Sequence, residues 1–278
     1  MQGTFESQLY ACGKKPLPQK IVFDGDTYRL QKVFKHDFFA ATALYELPKI
    51  SKSAKTQNPN KIILKLNRSQ HLLGLPLAWL GEFLCRHQVD ILQRLKNLRG
   101  IPHFLSHYGK TGFIYEFIEG QRLDSEKKIP DDFFDKLLNL LREIHQRNVV
   151  YLDLNKKDNI IIGSDGRPYL IDFQISLYIP KRLLLSRRLS KYLKDNLQAA
   201  DIYHLFKHKC KLSPELLRPE EQKLSQQVCI LVRLHRHAAT PLRELRRALL
   251  KFLLSKGLMK TQKIPPHSQE NKADGLLK

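Results

Sequence analysis

The sequence predicts an α+β fold arranged as two lobes with a cleft between them. Three observations carry this. The first third, Ile21 to Leu66, is rich in strand-forming residues. Residues 130–148 form one strongly amphipathic helical stretch. Straight after it come two short apolar strands joined by Asp165–Gly166, a hairpin signal, and then a basic, helical remainder. A chain of 278 residues suits one large domain or two small lobes and can bury a real core.

Taken in order, residues 1–20 read as a loosely held leader broken by Pro16 and Pro18. Tyr28 to Val33 alternates polar and apolar, Phe38 to Leu47 is aromatic and small, and 61–67 is a compact strand after the polar loop 51–60. A helix follows, with Trp79, Leu80, Phe83, Leu84, Ile91, Leu92 and Leu95 on one side, stopped by Gly100 and Pro102. Residues 111–120 read as a strand and turn. The helix at 130–148 opens on Pro130 and two acidic residues, as the helix dipole favours, and buries Phe133, Leu137, Leu138, Leu141 and Ile144. Strands are expected around Asn159–Ile162 and Tyr169–Ile171. Helices continue to about residue 257, and the polar tail reads as disordered. The predicted division is a leader (1–20), an N-terminal lobe (21–118), a C-terminal lobe (119–258) and a tail (259–278).

Composition bounds the function. The 48 Lys and Arg exceed the 27 Asp and Glu, for a net charge of +21. Such a surface attracts phosphate groups, nucleic acid or anionic lipid. Aromatic residues are sparse among the basic ones, which does not support a nucleic-acid interface. Cys12, Cys85, Cys210 and Cys229 lack metal-ligand spacing and imply no disulfide framework. The first residues lack a signal-peptide core, and the longest apolar run is about ten residues, half of what a bilayer-spanning helix needs. The expectation is a soluble cytoplasmic protein without a transmembrane segment, with peripheral contact at the inner membrane surface as a further role for the basic face.

The chemistry concentrates in residues 149–176, VVYLDLNKKDNIIIGSDGRPYLIDFQIS. Asp153 lies in a loop after the long helix, Asn159 opens the first short strand, and Asp172 ends the second. The hairpin brings Asn159 and Asp172 together. Two oxygen ligands at one point suit Mg²⁺, which takes a few side chains and completes its shell with phosphates and water. Asp153 is then available to accept a proton from a hydroxyl nucleophile or to orient it. The competing reading is an ordinary hairpin with acidic loop residues.

This segment resembles the catalytic loop and metal-binding segment of the protein-kinase-like superfamily, H-R-D-L-x-x-x-N followed by D-F-G. Within it, the closest likeness is to bacterial RIO and lipopolysaccharide-core kinases. The resemblance implies a bilobal fold with a small β-rich N-lobe and a pared-down helical C-lobe. It implies ATP and Mg²⁺ as cofactors, Asp153 as the catalytic residue, and Asn159 and Asp172 as metal ligands. Lys65 in IILKL resembles the strand lysine that pairs nucleotide phosphates. Gln88 stands where the partner glutamate of that lysine belongs. Ala40 and Ala41 are small enough for backbone to approach phosphates in a loop without glycines, where Lys35 or His36 adds charge. Glu116, Phe117 and Ile118 resemble the hinge whose backbone meets an adenine edge. Departures from the pattern are Tyr151 and Leu152 for His-Arg, one extra residue between Asp153 and Asn159, Gln174 for glycine, and Asn155 where many kinases carry lysine. Asp201 reads equally as a buttress of the catalytic loop or as a solvated helix residue. The expected reaction is transfer of the γ-phosphate of ATP to a hydroxyl, first a Ser/Thr of a protein. The alternatives are an anionic glycolipid sugar or other small molecule, and a nucleotide-binding pseudokinase acting as an interaction protein.

Overall fold

The structure, a computed structural model, describes residues 10–13, 15–48, 58–71, 76–123, 129–180 and 187–226. An antiparallel six-stranded sheet dominates the first half. Its strands are β1 (Lys20–Phe23), β2 (Asp26–His36), β3 (Ala40–Glu46), β4 (Lys61–Asn67), β5 (Phe104–Tyr108) and β6 (Gly112–Glu116), in the order β1-β2-β3-β4-β6-β5. Helix α1 (Ala78–Arg94) lies between β4 and β5 in sequence. The second half carries β7 (Gly120–Arg122), α2 (Phe133–Gln146), β8 (Val149–Val150), β9 (Ile160–Gly163), β10 (Pro168–Leu170), β11 (Leu177–Tyr178), α3 (Arg187–Leu212) and α4 (Pro219–Gln226). Strands β10, β9 and β7 form one small sheet, and β11 pairs with β8.

Alternation explains how the large sheet is covered. Ala41, Ala43 and Tyr45 of β3 and Ile62 and Leu64 of β4 point to one face, where they pack with Ala11, Leu17, Tyr28 and Ile114. Thr42, Leu44, Ile63 and Lys65 point to the other. Because β4 is central, both of its faces are buried, and it reads as a nearly continuous apolar run. A second cluster joins α1, Phe113, α2, the segment around Tyr151 and Leu154, and Leu205 and Phe206 of α3.

Three sequence expectations need correction. Residues 10–13 and 15–19 are not loosely held. Ala11, Cys12 and Leu17 are buried, and the Ala11 amide donates to the Asp37 carbonyl at 2.7 Å. On α1, Trp79 and Phe83 are 64% and 60% exposed, whereas Gly81, Cys85, Gln88, Val89, Ile91 and Leu92 are buried. At Gly81 the helix runs close to backbone, so only a small residue fits inward there: a Cβ on Gly81 would stand 1.8 Å from the Arg68 carbonyl oxygen. On α2, Leu140 is buried and Leu138 only partly so. The basic stretch around Arg233 to Lys251 and the tail lie outside the described residues, as does Cys229. Among the described residues Cys12, Cys85 and Cys210 are free thiols. No described helix is long and apolar enough to cross a membrane.

The Gly81 contact gives a first expected result. Gly81→Ala gains helix propensity but must push α1 off the Arg68 backbone, for a net loss of about 1–3 kcal/mol. Urea unfolding measures it, and a variant as stable as the wild type contradicts this packing.

Candidate active site

Lys65 sits in the middle of β4 on the face opposite the Ala41 core, with only 5% of its surface exposed. Its ammonium donates to Asp172 Oδ1 and to Gln88 Oε1, both at 2.7 Å. The Gln88 amide nitrogen in turn donates to Asn67 Oδ1 at 3.1 Å and to the Leu84 carbonyl at 3.0 Å, while Asn67 donates to the Thr111 carbonyl. The lysine is thus held by one charged and one neutral partner, and the neutral one is locked by its own hydrogen bonds.

Asp172 follows β10 with φ of 60°, a left-handed conformation uncommon outside glycine that aspartate tolerates better than most residues and that its surroundings hold here. Those surroundings are visible. The amide of Ile171 donates to the Asn159 carbonyl at 3.0 Å, the Tyr151 hydroxyl donates to the Ile171 carbonyl, and the Phe173 ring packs edge-on against Tyr151. Burial pushes the Asp172 carboxyl up, but the Lys65 charge and hydrogen bond outweigh it, with Lys35 and Lys156 adding to the pull, and hold it at about 2.

Asp153 lies in the loop between β8 and β9 and is buried. Its Oδ2 accepts from Asn159 Nδ2 at 2.7 Å and from Lys156 Nζ at 2.8 Å. Burial raises its pKa, with the negative charge of Asp172 acting in the same direction and Lys156 and Asn159 opposing. Leu152, just before it, has φ of 66°. That strained backbone is pinned by Asp201 of α3, whose two oxygens accept the amides of Tyr151 at 2.9 Å and Leu152 at 2.8 Å and meet His145 Nε2 at 3.0 Å. Asp201 is fully buried, so it is a buttress of the loop and not a solvated residue. The Ser176 hydroxyl adds a bond to the Tyr151 carbonyl, and His87 of α1 meets the Ser176 carbonyl at 2.8 Å.

The structure brings Lys65 to Asp172 and Asn159 to Asp153, and the Ile171–Asn159 backbone bond joins the two pairs. It does not bring Ala41 there, because that side chain belongs to the opposite face of the sheet. The Ala40 amide is taken by Asp37 Oδ1 at 3.0 Å. Glu116 pairs with Ile62, three residues along β4 from Lys65. Glu116, Phe117 and Ile118 line a cavity of about 240 Å³ with Leu98, Gly100, His103 and Tyr169, which contains neither Lys65 nor Asp172. Phe117 also stacks with Phe34 of β2, ring centres 6.4 Å apart. Asp158, next to Asn159 in the loop, pairs with Arg122 at 3.6 Å. The residue missed by sequence is Lys156. The extra residue in the loop moves lysine one place on from Asn155, and its long side chain still reaches Asp153.

As to a metal, the donor set is hard: the Asp172 carboxylate and the Asn159 side-chain carbonyl, whose amide nitrogen is spent on Asp153. Among the described residues no group of three or more His, Cys, Asp or Glu could hold an ion by itself. This fits Mg²⁺, which relies on substrate phosphates for much of its shell, better than an all-protein metal cage.

A titrating group packs against the loop from α3. His208 of α3 is buried, and its Nε2 meets the Leu154 carbonyl at 2.8 Å. Burial, reinforced by Lys157, Lys207 and Lys211 against the Leu154 bond, pushes its pKa down to about 4. The unfolded chain therefore binds this proton more tightly, and the fold loses stability as pH falls from about 6.5 to 4, by about 3 kcal/mol in total. Urea midpoints measured against pH are expected to fall in that window and to stay flatter in His208→Gln. Equal slopes for the two proteins contradict the assignment.

No family model matches the chain. A curated protein described as "Probable cAMP-dependent protein kinase catalytic subunit", from Encephalitozoon cuniculi (strain GB-M1), is 29% identical over 131 residues, covering 41% of this chain and 40% of the relative. The chain thus matches about two fifths of that relative's length. This distant similarity is, with the mixed α+β architecture, consistent with a protein-kinase-like fold. It does not extend to a RIO or lipopolysaccharide-core type.

Proposed function

We propose that the protein is an ATP-dependent phosphotransferase of bilobal, kinase-like architecture that transfers the γ-phosphate to a hydroxyl, with a Ser/Thr of a protein as the acceptor. The observation that carries this reading is the 2.7 Å contact between Lys65 and Asp172, residues 107 positions apart. Lys65 holds nucleotide phosphates. Asn159 and Asp172 would hold Mg²⁺, which neutralises phosphate charge as it moves to the acceptor. Asp153 is held at its oxygen by Asn159 and Lys156, accepts the hydroxyl proton or orients that hydroxyl, and its raised pKa suits a base. Lys156, 2.8 Å from Asp153, would offset negative charge beside it as phosphate is transferred. Rate gain here comes mainly from positioning and fixed charge.

The neutral Gln88 at 2.7 Å from Lys65 favours a second reading, a nucleotide-binding interaction protein without transfer. Incubation of the purified protein with labelled ATP and Mg²⁺, alone, with a protein substrate panel and with anionic glycolipid, separates the readings. Label on a protein Ser or Thr that disappears in Asp153→Ala supports the first. Label on glycolipid alone reassigns the acceptor. Binding without transfer supports the second, and absence of nucleotide binding overturns both.

A further inference from the structure

The β2–β3 hairpin carries a second lysine aimed at the same place. Cross-strand partners in an antiparallel sheet share a face. Lys35 pairs with Thr42, Thr42 with Lys65, and Lys65 with Phe113. One row therefore crosses four strands on the face where Lys65 meets Asp172. Lys35 and Lys65 stand two strands apart, about 10 Å at the backbone, which the length of two lysine side chains readily spans. Burial opposes the charge on Lys35, but Asp37, then Asp172 and Asp153, outweigh it and favour its protonated form. The field of Lys35 reaches both carboxylates of the site.

The backbone of the hairpin tip, by contrast, is already engaged. Asp37 Oδ1 accepts the amides of Phe39 at 2.9 Å and Ala40 at 3.0 Å. Arg68 holds the other side of the tip, donating to the Phe38 carbonyl through its guanidinium and to the Phe39 carbonyl through its amide, both at 2.9 Å. A carboxylate caps the donors that would otherwise face an anion, so this tip does not receive phosphate through its amides. The Lys35 ammonium itself rests on Asp37 Oδ2 at 2.9 Å, in a pair whose side chains are 47% and 40% exposed. Such exposed pairs are weak, so Lys35 can exchange Asp37 for a multiply charged ligand at little cost.

We infer that Lys35 and Lys65 form a two-lysine clamp on the polyphosphate of a nucleoside triphosphate, with the Lys35 side chain taking the role that the hairpin amides do not fill. The inference rests on the nucleotide site proposed above. Calorimetric titration of the full chain with Mg·ATP and, separately, with adenosine tests both and tells them apart. Lys35→Met is expected to weaken ATP binding about ten- to a hundredfold, as for one lost charge-assisted contact, with adenosine affinity unchanged. Lys35→Arg is expected to restore most of the loss. Asp37→Asn keeps an oxygen for the tip amides and releases Lys35, so ATP should bind as tightly or more tightly. Unchanged ATP affinity in Lys35→Met overturns the clamp, and so does an equal loss for ATP and adenosine, which marks a structural role. A wild-type protein that binds neither ligand overturns the nucleotide site itself.

Discussion

Asp172→Asn is expected to lower phosphoryl transfer about a thousandfold or more, the scale on which preorganised charge at a reacting phosphate acts. The substitution keeps volume and one oxygen near Lys65 but removes the charge. Two effects separate in this variant. The first is loss of a hard anionic ligand. The second is a buried ammonium, 5% exposed, left with Gln88 and an amide oxygen. Breaking a buried pair from one side costs about 3 kcal/mol, toward the low end because an oxygen remains within reach. The pH signature is specific. Asp172 is held at about 2, below its ordinary 3.8, so its stabilisation is present above about pH 4 and is lost as pH falls toward 2. Asp172→Asn should lack that acid limb. Single-turnover transfer assays and acid unfolding curves check the two effects independently. Near-normal transfer would remove Asp172 from the chemistry.

Asp201→Ala on α3 is expected to cost about 3–5 kcal/mol of stability, because it orphans the backbone amides of Tyr151 and Leu152 and one histidine contact at once. The Leu152 backbone, at φ of 66°, loses what holds it, and Asp153 follows it in sequence. Activity should fall with stability even though Asp201 does not face the Lys65–Asp172 pair. Asp201→Asn, with one acceptor retained, should land between the two. Thermal unfolding alongside kcat distinguishes this: a variant that keeps its melting point but loses turnover argues against a positioning role through the backbone.

Much of this site was legible in sequence, because its parts are local. An amphipathic helix, a loop carboxylate, and an Asn and Asp joined by an Asp-Gly hairpin fix one another's spacing. Lys65 was readable because β4 is so apolar that a lysine in it has to have a reason. Gln88 followed from helix register. What sequence could not give was side-chain direction. Trp79 and Phe83 looked like core and face outward, since nothing in the sequence says that α1 packs on backbone at Gly81. Ala40 and Ala41 resemble a phosphate loop because they are small, and only the strand register shows Ala41 in the opposite core and Lys35 on the face of Lys65. Lys156 was hidden by one inserted residue, which spacing counts as a mismatch and a flexible side chain absorbs. Asp201 lay 48 residues past Asp153, and no local pattern could separate a buttress from a solvated helix position.

In the proposed mechanism Lys65, Asp172, Asn159 and Asp153 form one Mg²⁺-dependent nucleotide site. Equilibrium binding of ATP to the full chain, with and without Mg²⁺, in wild type and Asp172→Asn, tests it most directly. Saturable one-site binding is expected, tightened by Mg²⁺ in the wild type and unaffected by Mg²⁺ in the variant. ATP binding that ignores both Mg²⁺ and the substitution, or no binding in the wild type, would contradict it.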